Sequence, residues 1–190
     1  MPHSPKGTAL LVIDAQLGAF RSPLIPPVHD GEMLLHKISL LISQARASKL
    51  PVFFIQHCGG KGHPLEKGTK EFEIHPAVAP WKDEVVIQKR FCDSFQETSL
   101  QAELQSRGIG QIVIAGLATE YCVDTASRRG FSLGYSVSLV QDAHSTWDAT
   151  GLKAKQIVAH HNRVLGELFA KLVNADSAFG KQPDFERPRD

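Results

Sequence analysis

The chain of 190 residues carries 21 lysines and arginines against 20 aspartates and glutamates, which gives a formal net charge of +1. Because the two signs are interspersed, we exclude the basic stripe of a nucleic-acid-binding protein and a charged surface that binds to membranes. The length suits one α/β core without a linker, so we predict a single domain over residues 1–190, with a core at about 8–175 and a polar tail at 180–190. The first residues lack a signal-peptide pattern, and we predict a cytoplasmic protein.

The first half of the chain alternates strand signals with helix signals. An apolar run at 9–13 ends at Asp14 and predicts a strand, and apolar residues at helical spacing predict a helix at 31–48. A second strand is predicted at 52–55. Residues 58–83 then show no sustained period, which predicts a long loop. A loop of that length inside one domain usually covers a site.

The second half continues the alternation. A third strand at 85–87 is followed closely by Lys89, and a short helix is predicted at 98–107. The fourth strand, at 112–115, is apolar and β-branched, as expected for a strand that is buried on both faces of a parallel sheet. The remaining predicted elements are a helix at 119–134, a strand at 135–140, a helix at 152–168 and a strand at 171–174.

The turn after the fourth strand holds the residue with the most reactive chemistry. Thr119 is in a suitable N-cap position, which places Cys122 in the first turn of the next helix. A helix N-terminus favours thiolate over thiol, and its free N–H groups can stabilise an oxyanion. Three cysteines at irregular spacing predict free thiols, however, and a buried cysteine is often only a small hydrophobe. Position alone therefore leaves both interpretations open.

Alternating strands and helices predict a mostly parallel sheet of five to six strands with helices on both faces. Ligands bind to such sheets at the carboxyl ends of the strands, near the point where the strand order reverses. Asp14, Lys89 and Cys122 all fall at strand carboxyl ends, so we expect them to lie close together. Asp14 is placed to accept the thiol proton and Lys89 to orient the transfer. Each alone also fits a turn residue or a solvated side chain.

Three stretches together resemble the isochorismatase-like cysteine hydrolases, a superfamily that includes nicotinamidases, carbamoylsarcosine amidohydrolases, ureidoacrylate amidohydrolases and isochorismatase. They are Asp14-Ala15-Gln16 with Phe20 behind it, Lys89 with Phe95 following, and the run from Gly116 to Thr125. The resemblance covers residues 8–175 and implies a three-layer α/β/α Rossmann-like fold with a catalytic triad of Asp14, Lys89 and Cys122. It also implies a cis peptide between Leu117 and Ala118, with the N–H groups of Ala118 and Cys122 as the oxyanion hole.

The resemblance implies that Cys122 attacks a carbonyl carbon, that Asp14 passes the thiol proton to the leaving nitrogen, and that a thioester is then hydrolysed. Nicotinamidases carry a metal on an Asp-x-His pair after the second strand. Ile55 stands where that aspartate would be, so we predict no metal and no cofactor, although Cys58, His63 and His75 are near in sequence.

The retained thiol favours hydrolysis of a C–N bond, with the vinyl ether cleaved by isochorismatase as the alternative. The loop after the second strand resembles a metal-free subgroup that contains a hydrolase of streptothricin's lactam, which suggests small amides or lactams. The candidate substrate-binding residues are Gln16, Phe20, Trp81 and Tyr121, although aromatic residues are as often part of the core.

Two other classes of protein stay open. A non-catalytic oligomeric binding protein would keep the fold without turnover. A redox-responsive protein would need Cys58 or Cys92 as a resolving partner for Cys122. The family commonly forms oligomers, so the resemblance implies a homo-oligomer that acts on a small molecule.

Overall fold

Six parallel strands form one sheet in the computed structural model, which describes residues 7–179. The strands are β1 Gly7–Ile13, β2 Val52–His57, β3 Val85–Lys89, β4 Ile109–Leu117, β5 Ser136–Ser145 and β6 Lys171–Val173. Their order across the sheet is β3-β2-β1-β4-β5-β6. The predicted α/β fold with a parallel sheet is confirmed.

Five α-helices cover the two faces of the sheet. They are α1 Leu17–Arg21, α2 Gly31–Ala47, α3 Leu100–Ser106, α4 Asp124–Ser132 and α5 Ala154–Leu168. Residues of α1 and α2 share one hydrophobic cluster with Leu10 and Val12 of β1. Residues of α3, α4 and α5 share the other with Ala9, Leu11 and Ile13. Successive residues of a strand point to opposite faces, so the buried part of β1, residues 9–13, is apolar at every position.

Helix α1 and strand β5 differ clearly from the sequence prediction. Helix α1 was missed because it has only five residues and no side-chain cap to mark its start. Strand β5 continues to Ser145, beyond the predicted end at residue 140, because its polar residues find partners at the sheet margin. Gln141 donates to Asn174 at 3.0 Å, and Asp142 pairs with Lys37 at 2.8 Å.

The strand order reverses between β1 and β4, which both leave the sheet at the same edge. The chain builds β2 and β3 on one side of β1 and then crosses to build β4, β5 and β6 on the other. The crossover connections diverge at this point and leave a crevice at the carboxyl ends of β1 and β4. Asp14 and the turn that contains Cys122 both emerge into it. Within residues 7–179, no helix combines the length and apolarity that crossing a bilayer requires.

Gly116 lies where β4 passes closest to β1. Its φ is +124°, and a Cβ atom there would meet the backbone oxygen of Ile13 at 2.0 Å. We expect Gly116→Ala to lower the free energy of unfolding by about 3 kcal/mol or more, since neither backbone can yield. Gly134 is the matched control, because its φ is +94° but open space surrounds it. Gly134→Ala should cost about 1 kcal/mol from strain alone. Equal losses in urea denaturation would contradict this assignment.

Candidate active site

Three chemically active side chains meet in the crevice. The ammonium of Lys89 lies 2.8 Å from Oδ2 of Asp14 and donates to Sγ of Cys122 at 2.9 Å. It donates a third hydrogen bond to the backbone oxygen of Phe91 at 3.2 Å. The side chain of Lys89 is 0% exposed and that of Asp14 is 6% exposed. All three donors of the ammonium therefore have partners in a site that is nearly closed to water.

The sheet positions the carboxylate and the ammonium. Asp14 follows β1 directly, with a left-handed φ of 50°, and its backbone N–H donates to the oxygen of Ile55 at 2.9 Å. Aspartate tolerates this conformation better than most residues. Lys89 is the last residue of β3, and its backbone oxygen accepts from the N–H of Cys58 at 2.8 Å. Both backbones are thus held by the neighbouring strand β2 or by the residue that follows it.

Cys122 lies in a turn wider than an α-helix. Residues Thr119–Val123 form a π-helical turn, in which the N–H of Val123 donates to the oxygen of Ala118 at 3.2 Å. The predicted N-cap at Thr119 is wrong, because its hydroxyl bonds to His144 and α4 begins only at Asp124. Sequence spacing matches an α-helix from Val123 onward and gives no sign of the wider turn before it. The cis peptide between Leu117 and Ala118 is confirmed.

The sulfur of Cys122 is held as a thiol rather than as a thiolate. Burial raises the pKa of Cys122 above its ordinary value, and the Asp14 carboxylate adds to this rise, while Lys89 opposes it without reversing it. Burial and the Asp14 charge therefore act against the thiolate that the helix N-terminus was expected to favour. Burial acts to lower the pKa of Lys89, but Asp14 and Cys122 together raise it by more than burial lowers it. The pKa of Lys89 is therefore above the ordinary value for lysine. Oδ1 of Asp14 is buried without a hydrogen-bond partner, which leaves it free to accept a proton.

A buried chain of hydrogen bonds supports the turn from behind. Thr119 Oγ1 lies 2.8 Å from Nδ1 of His144, and Nε2 of His144 lies 2.8 Å from Oδ1 of Asn162. Asn162 donates its amide to the backbone oxygen of Gln141 at 3.0 Å, so its Oδ1 is the acceptor. His144 must then carry its proton on Nε2, and its Nδ1 accepts from Thr119. One tautomer satisfies every group in the chain.

This network predicts a pH dependence of stability. Burial lowers the pKa of His144 to about 4 from an unfolded value near 6.5. The unfolded chain takes up this proton at a higher pH than the native protein does. The stability that the buried neutral His144 contributes to the fold is therefore complete above about pH 6.5 and is lost as the pH falls toward 4.

We expect wild-type protein to lose about 2 kcal/mol more stability between pH 7 and pH 5 than His144→Gln does. Urea denaturation at the two pH values measures both slopes, and carboxylates elsewhere affect both proteins alike. Parallel slopes would show that His144 is not the buried neutral imidazole described above.

A cavity of about 230 Å³ opens beside the thiol. Asp14 and Cys122 lie in its wall. The other lining residues are Ala19, Ile25, His57, His63, Pro64, Leu65, Cys92, Leu117, Ala118, Tyr121 and Trp147. His63, Pro64 and Leu65 belong to the segment at 58–83, so the predicted loop does cover the site. That segment also contains two short 3₁₀ turns, Lys70–Phe72 and Pro76–Val78.

Of the four predicted substrate-binding residues, Tyr121 lines the cavity and three lie elsewhere. Gln16 is fully buried, and its side chain bonds to the backbone of His57 and Phe72 at 2.8–3.0 Å. Trp81 lies at the amino end of the sheet, where the guanidinium of Arg46 stacks on its ring at 4.1 Å. The structure therefore places neither side chain at this cavity, since Gln16 is used within the protein and Trp81 faces the opposite end of the sheet.

Phe20 is also misplaced by the sequence prediction. Its ring packs edge-on against His75, with ring centres 5.1 Å apart, and it adds to the hydrophobic cluster under α2. Its neighbour Ala19 lines the cavity instead. The direction of a side chain in a five-residue helix cannot be read from a period, which is why the sequence chose the wrong neighbour.

Sequence reasoning missed His57 and Trp147 as lining residues. His57 is the last residue of β2, and Trp147 comes two residues after the end of β5. The rule that selected Asp14 and Lys89, proximity to the carboxyl end of a strand, would have selected His57. It would not have selected Trp147, because the fifth strand was predicted to end at residue 140. Ile25 and Cys92 also line the cavity, but they lie in irregular segments for which no comparable rule exists.

Asp14, His57 and Cys122 place ligand atoms within 4.8 Å of one another, which is a donor set that metals use. Asp14 and Cys122 already contact the Lys89 ammonium, however, and a second cation there would be repelled. His63 and His75 each accept a hydrogen bond on Nδ1 from the backbone two residues onward. These contacts assign both to turns of the covering loop.

The fold and this grouping are those of a Rossmann-like α/β hydrolase for small molecules, with a thiol at the reversal of strand order. Residues 8–168 match the sequence family described as Isochorismatase domain. The chain belongs to the isochorismatase family and is a hydrolase.

The relatives include one named as an isochorismatase and others named as a streptothricin hydrolase and as an amidohydrolase. The chain is 31% identical over 173 residues to a secreted isochorismatase effector of Verticillium dahliae, covering 90% of each protein. It is 34% identical over 140 residues to a streptothricin hydrolase of Streptomyces noursei, covering 74% of this chain and 50% of that protein. It is 26% identical over 178 residues to a ureidoacrylate amidohydrolase of Caulobacter segnis, covering 75% of this chain and 74% of that protein.

Solved structures agree with the fold. An isochorismatase from Pseudomonas putida superposes with a TM-score of 0.86 at 27% identity, covering 94% of this chain and 93% of that one. This likeness supports the three-layer arrangement and the family together.

Proposed function

We propose that the protein is a cysteine hydrolase that cleaves a C–N bond of a small amide, lactam or ureido compound through a thioester. One observation carries the proposal, namely that the Cys122 thiol, the Asp14 carboxylate and the Lys89 ammonium meet beside a cavity. A nucleophile, a proton acceptor and a fixed positive charge are the groups that covalent hydrolysis requires.

The first half of the reaction forms the thioester. The sulfur of Cys122 bonds to the substrate carbonyl carbon while the thiol proton passes to Asp14. The resulting oxyanion is held by the N–H groups of Ala118 and Cys122, both of which line the cavity. Asp14 then gives its proton to the substrate nitrogen, the C–N bond breaks, and the amine leaves.

The second half restores the enzyme. Asp14 takes a proton from water, the hydroxide bonds to the thioester carbon, and the C–S bond breaks to release the acid. Asp14 returns the proton to the sulfur. Lys89 holds Asp14 in position between these steps, because its ammonium lies 2.8 Å from Oδ2 of the carboxylate in a buried site.

The raised pKa of Cys122 is consistent with this sequence of steps. A neutral thiol can remain beside a carboxylate until the carbonyl carbon arrives, and the proton then moves as the C–S bond forms. The arrangement needs no preformed thiolate, which the neighbouring negative charge would destabilise.

Cleavage of a vinyl ether is the second candidate, because a relative at 31% identity is named an isochorismatase. The presence of the thiol beside a proton acceptor favours the C–N bond instead, as do the relatives named streptothricin hydrolase and ureidoacrylate amidohydrolase.

The test is turnover of a panel of primary amides, lactams, ureido compounds and isochorismate by wild-type protein and Cys122→Ala. We expect ammonia, amine or ring-opened acid from at least one C–N substrate, and none above background from the variant. Hydrolysis of isochorismate alone, unchanged in Cys122→Ala, would overturn the proposal in favour of the vinyl-ether reaction.

The predictions of a single domain, a homo-oligomer and a cytoplasmic location stay predictions. The name of the Verticillium dahliae relative describes a secreted protein, so membership of the family does not by itself imply a cytoplasmic location. Gel filtration with light scattering would measure the oligomeric state directly.

A further inference from the structure

We propose that His57 selects the substrate of the site above, by a hydrogen bond from Nδ1 to an uncharged, largely apolar amide or lactam. This inference rests on the proposed function and deepens it, because it names both a specificity residue and a substrate class. Carboxylate-bearing substrates are the class that it excludes.

His57 is rigidly placed and has an unused polar atom. Its backbone N–H donates to Oε1 of Gln16 at 2.8 Å, and its backbone oxygen accepts from Nε2 of Gln16 at 3.0 Å. The ring lines the cavity together with Asp14 and Cys122. Nδ1 is buried and has no hydrogen-bond partner. A buried polar atom without a partner is unfavourable unless a ligand satisfies it.

The ring nitrogens of Trp147 and His63, which also line the cavity, already have partners within the protein, and Oδ1 of Asp14 is reserved for the proton of the proposed reaction. Nε1 of Trp147 donates to the oxygen of Pro26 at 2.8 Å, and Nδ1 of His63 accepts from the N–H of Leu65 at 2.9 Å. Asp14 is paired with Lys89 at 2.8 Å. Nδ1 of His57 is therefore the ring atom left to read a polar group on the substrate.

The imidazole is held in its neutral form. Burial lowers the pKa of His57, and the nearby Lys89 ammonium lowers it further, against a weaker opposing effect of Asp14. A neutral ring forms a directional hydrogen bond but offers no charge to a carboxylate. The hydrogen bond of His57 therefore distinguishes substrates by the direction of their polar group and not by their charge.

The rest of the cavity wall supports an uncharged substrate. Among the described lining residues there is no lysine or arginine, and most of the surface comes from apolar side chains such as Leu65 and Leu117. A carboxylate entering this space would lose its hydration without gaining a partner. The volume of about 230 Å³ lies below the usual range for drug-sized ligands and limits the buried part to a single small ring or its equivalent.

The test uses four aldehydes as reversible probes: benzaldehyde, pyridine-3-carbaldehyde, 3-hydroxybenzaldehyde and 3-formylbenzoate. In each, the sulfur of Cys122 bonds to the aldehyde carbon, and the thiol proton moves to the aldehyde oxygen, which gives a hemithioacetal. Dissociation constants are measured by titration calorimetry with wild-type protein, Cys122→Ala, His57→Phe, His57→Gln and His36→Phe. His36 is the matched control because it is exposed on α2.

With wild-type protein we expect at least one of the two neutral polar aldehydes to bind tenfold or more tightly than benzaldehyde, and 3-formylbenzoate to bind tenfold or more weakly. In His57→Phe the polar preference should fall below twofold, in His57→Gln it should be partly kept, and in His36→Phe it should be unchanged. Thermal melting checks that each variant is folded.

Two failures are distinguishable. If no aldehyde binds in a Cys122-dependent manner, the proposed function fails and this inference fails with it. If the adducts form but the polar preference in His57→Phe is the same as in wild type, or if 3-formylbenzoate binds best, only the role of His57 and the uncharged substrate class are overturned.

Discussion

Lys89→Met is expected to destabilise the protein by about 3–5 kcal/mol and to abolish turnover. The ammonium is fully buried and makes contacts with Asp14, Cys122 and the backbone of Phe91. Removing it leaves the Asp14 carboxylate buried without a compensating charge, which is the costly way to break a buried ion pair. Urea denaturation of the wild type and the variant at pH 7 measures the loss.

A double variant distinguishes the effect of losing the Lys89 charge from the effect of losing part of the side-chain volume. In Asp14→Asn with Lys89→Met, no unpaired charge remains, so we expect most of the lost stability to return while activity stays absent. Methionine keeps much of the length of lysine, which limits the cavity that the change creates. If the double variant is as unstable as Lys89→Met alone, packing rather than charge is the dominant role of Lys89.

Cys122→Ser is expected to reduce kcat by at least about 10³-fold, with little change in substrate binding. Serine keeps the size and the polarity of the side chain. Its hydroxyl is a far weaker acid than a thiol, and the burial and the Asp14 charge that raise the pKa of Cys122 act on it in the same direction. Asp14 cannot then deprotonate the nucleophile at neutral pH.

Cys58→Ser is the matched control for that experiment. Cys58 is a free thiol that contacts Gln88 rather than the cavity, so its replacement should leave kcat and KM within about twofold of wild type. A Cys122→Ser variant that retains more than a tenth of the wild-type kcat would show that the sulfur is not the nucleophile.

Much of the framework could be predicted because it depends on patterns that run along the chain. The apolar runs of β1 and β4 mark strands buried on both faces, and the strand-end rule alone assigns Asp14, Lys89 and Cys122 to one edge of the sheet. The structure adds the contacts themselves, at 2.8–2.9 Å through the Lys89 ammonium.

The parts that could not be predicted depend on where individual side chains point. Gln16 follows Asp14 closely in sequence, yet its amide is used to hold the backbone of His57. Trp81 lies in the loop that covers the site but reaches the other end of the sheet. The hydroxyl of Thr119, in the π-helical turn, contacts His144, which is distant in sequence. The pKa of Cys122 is raised by burial. Neither feature leaves a periodic signal in the sequence.

The most direct test of a thioester on Cys122 is the mass, during turnover, of the peptide that contains this residue. Wild-type protein is mixed with its fastest substrate from the amide and lactam panel, quenched in acid within milliseconds to preserve thioesters, and digested. We expect the peptide that contains Cys122 to gain the mass of the acyl group, and no such gain in Cys122→Ala. Continued turnover with no acyl group on this peptide, and with full activity in Cys122→Ala, would contradict the account.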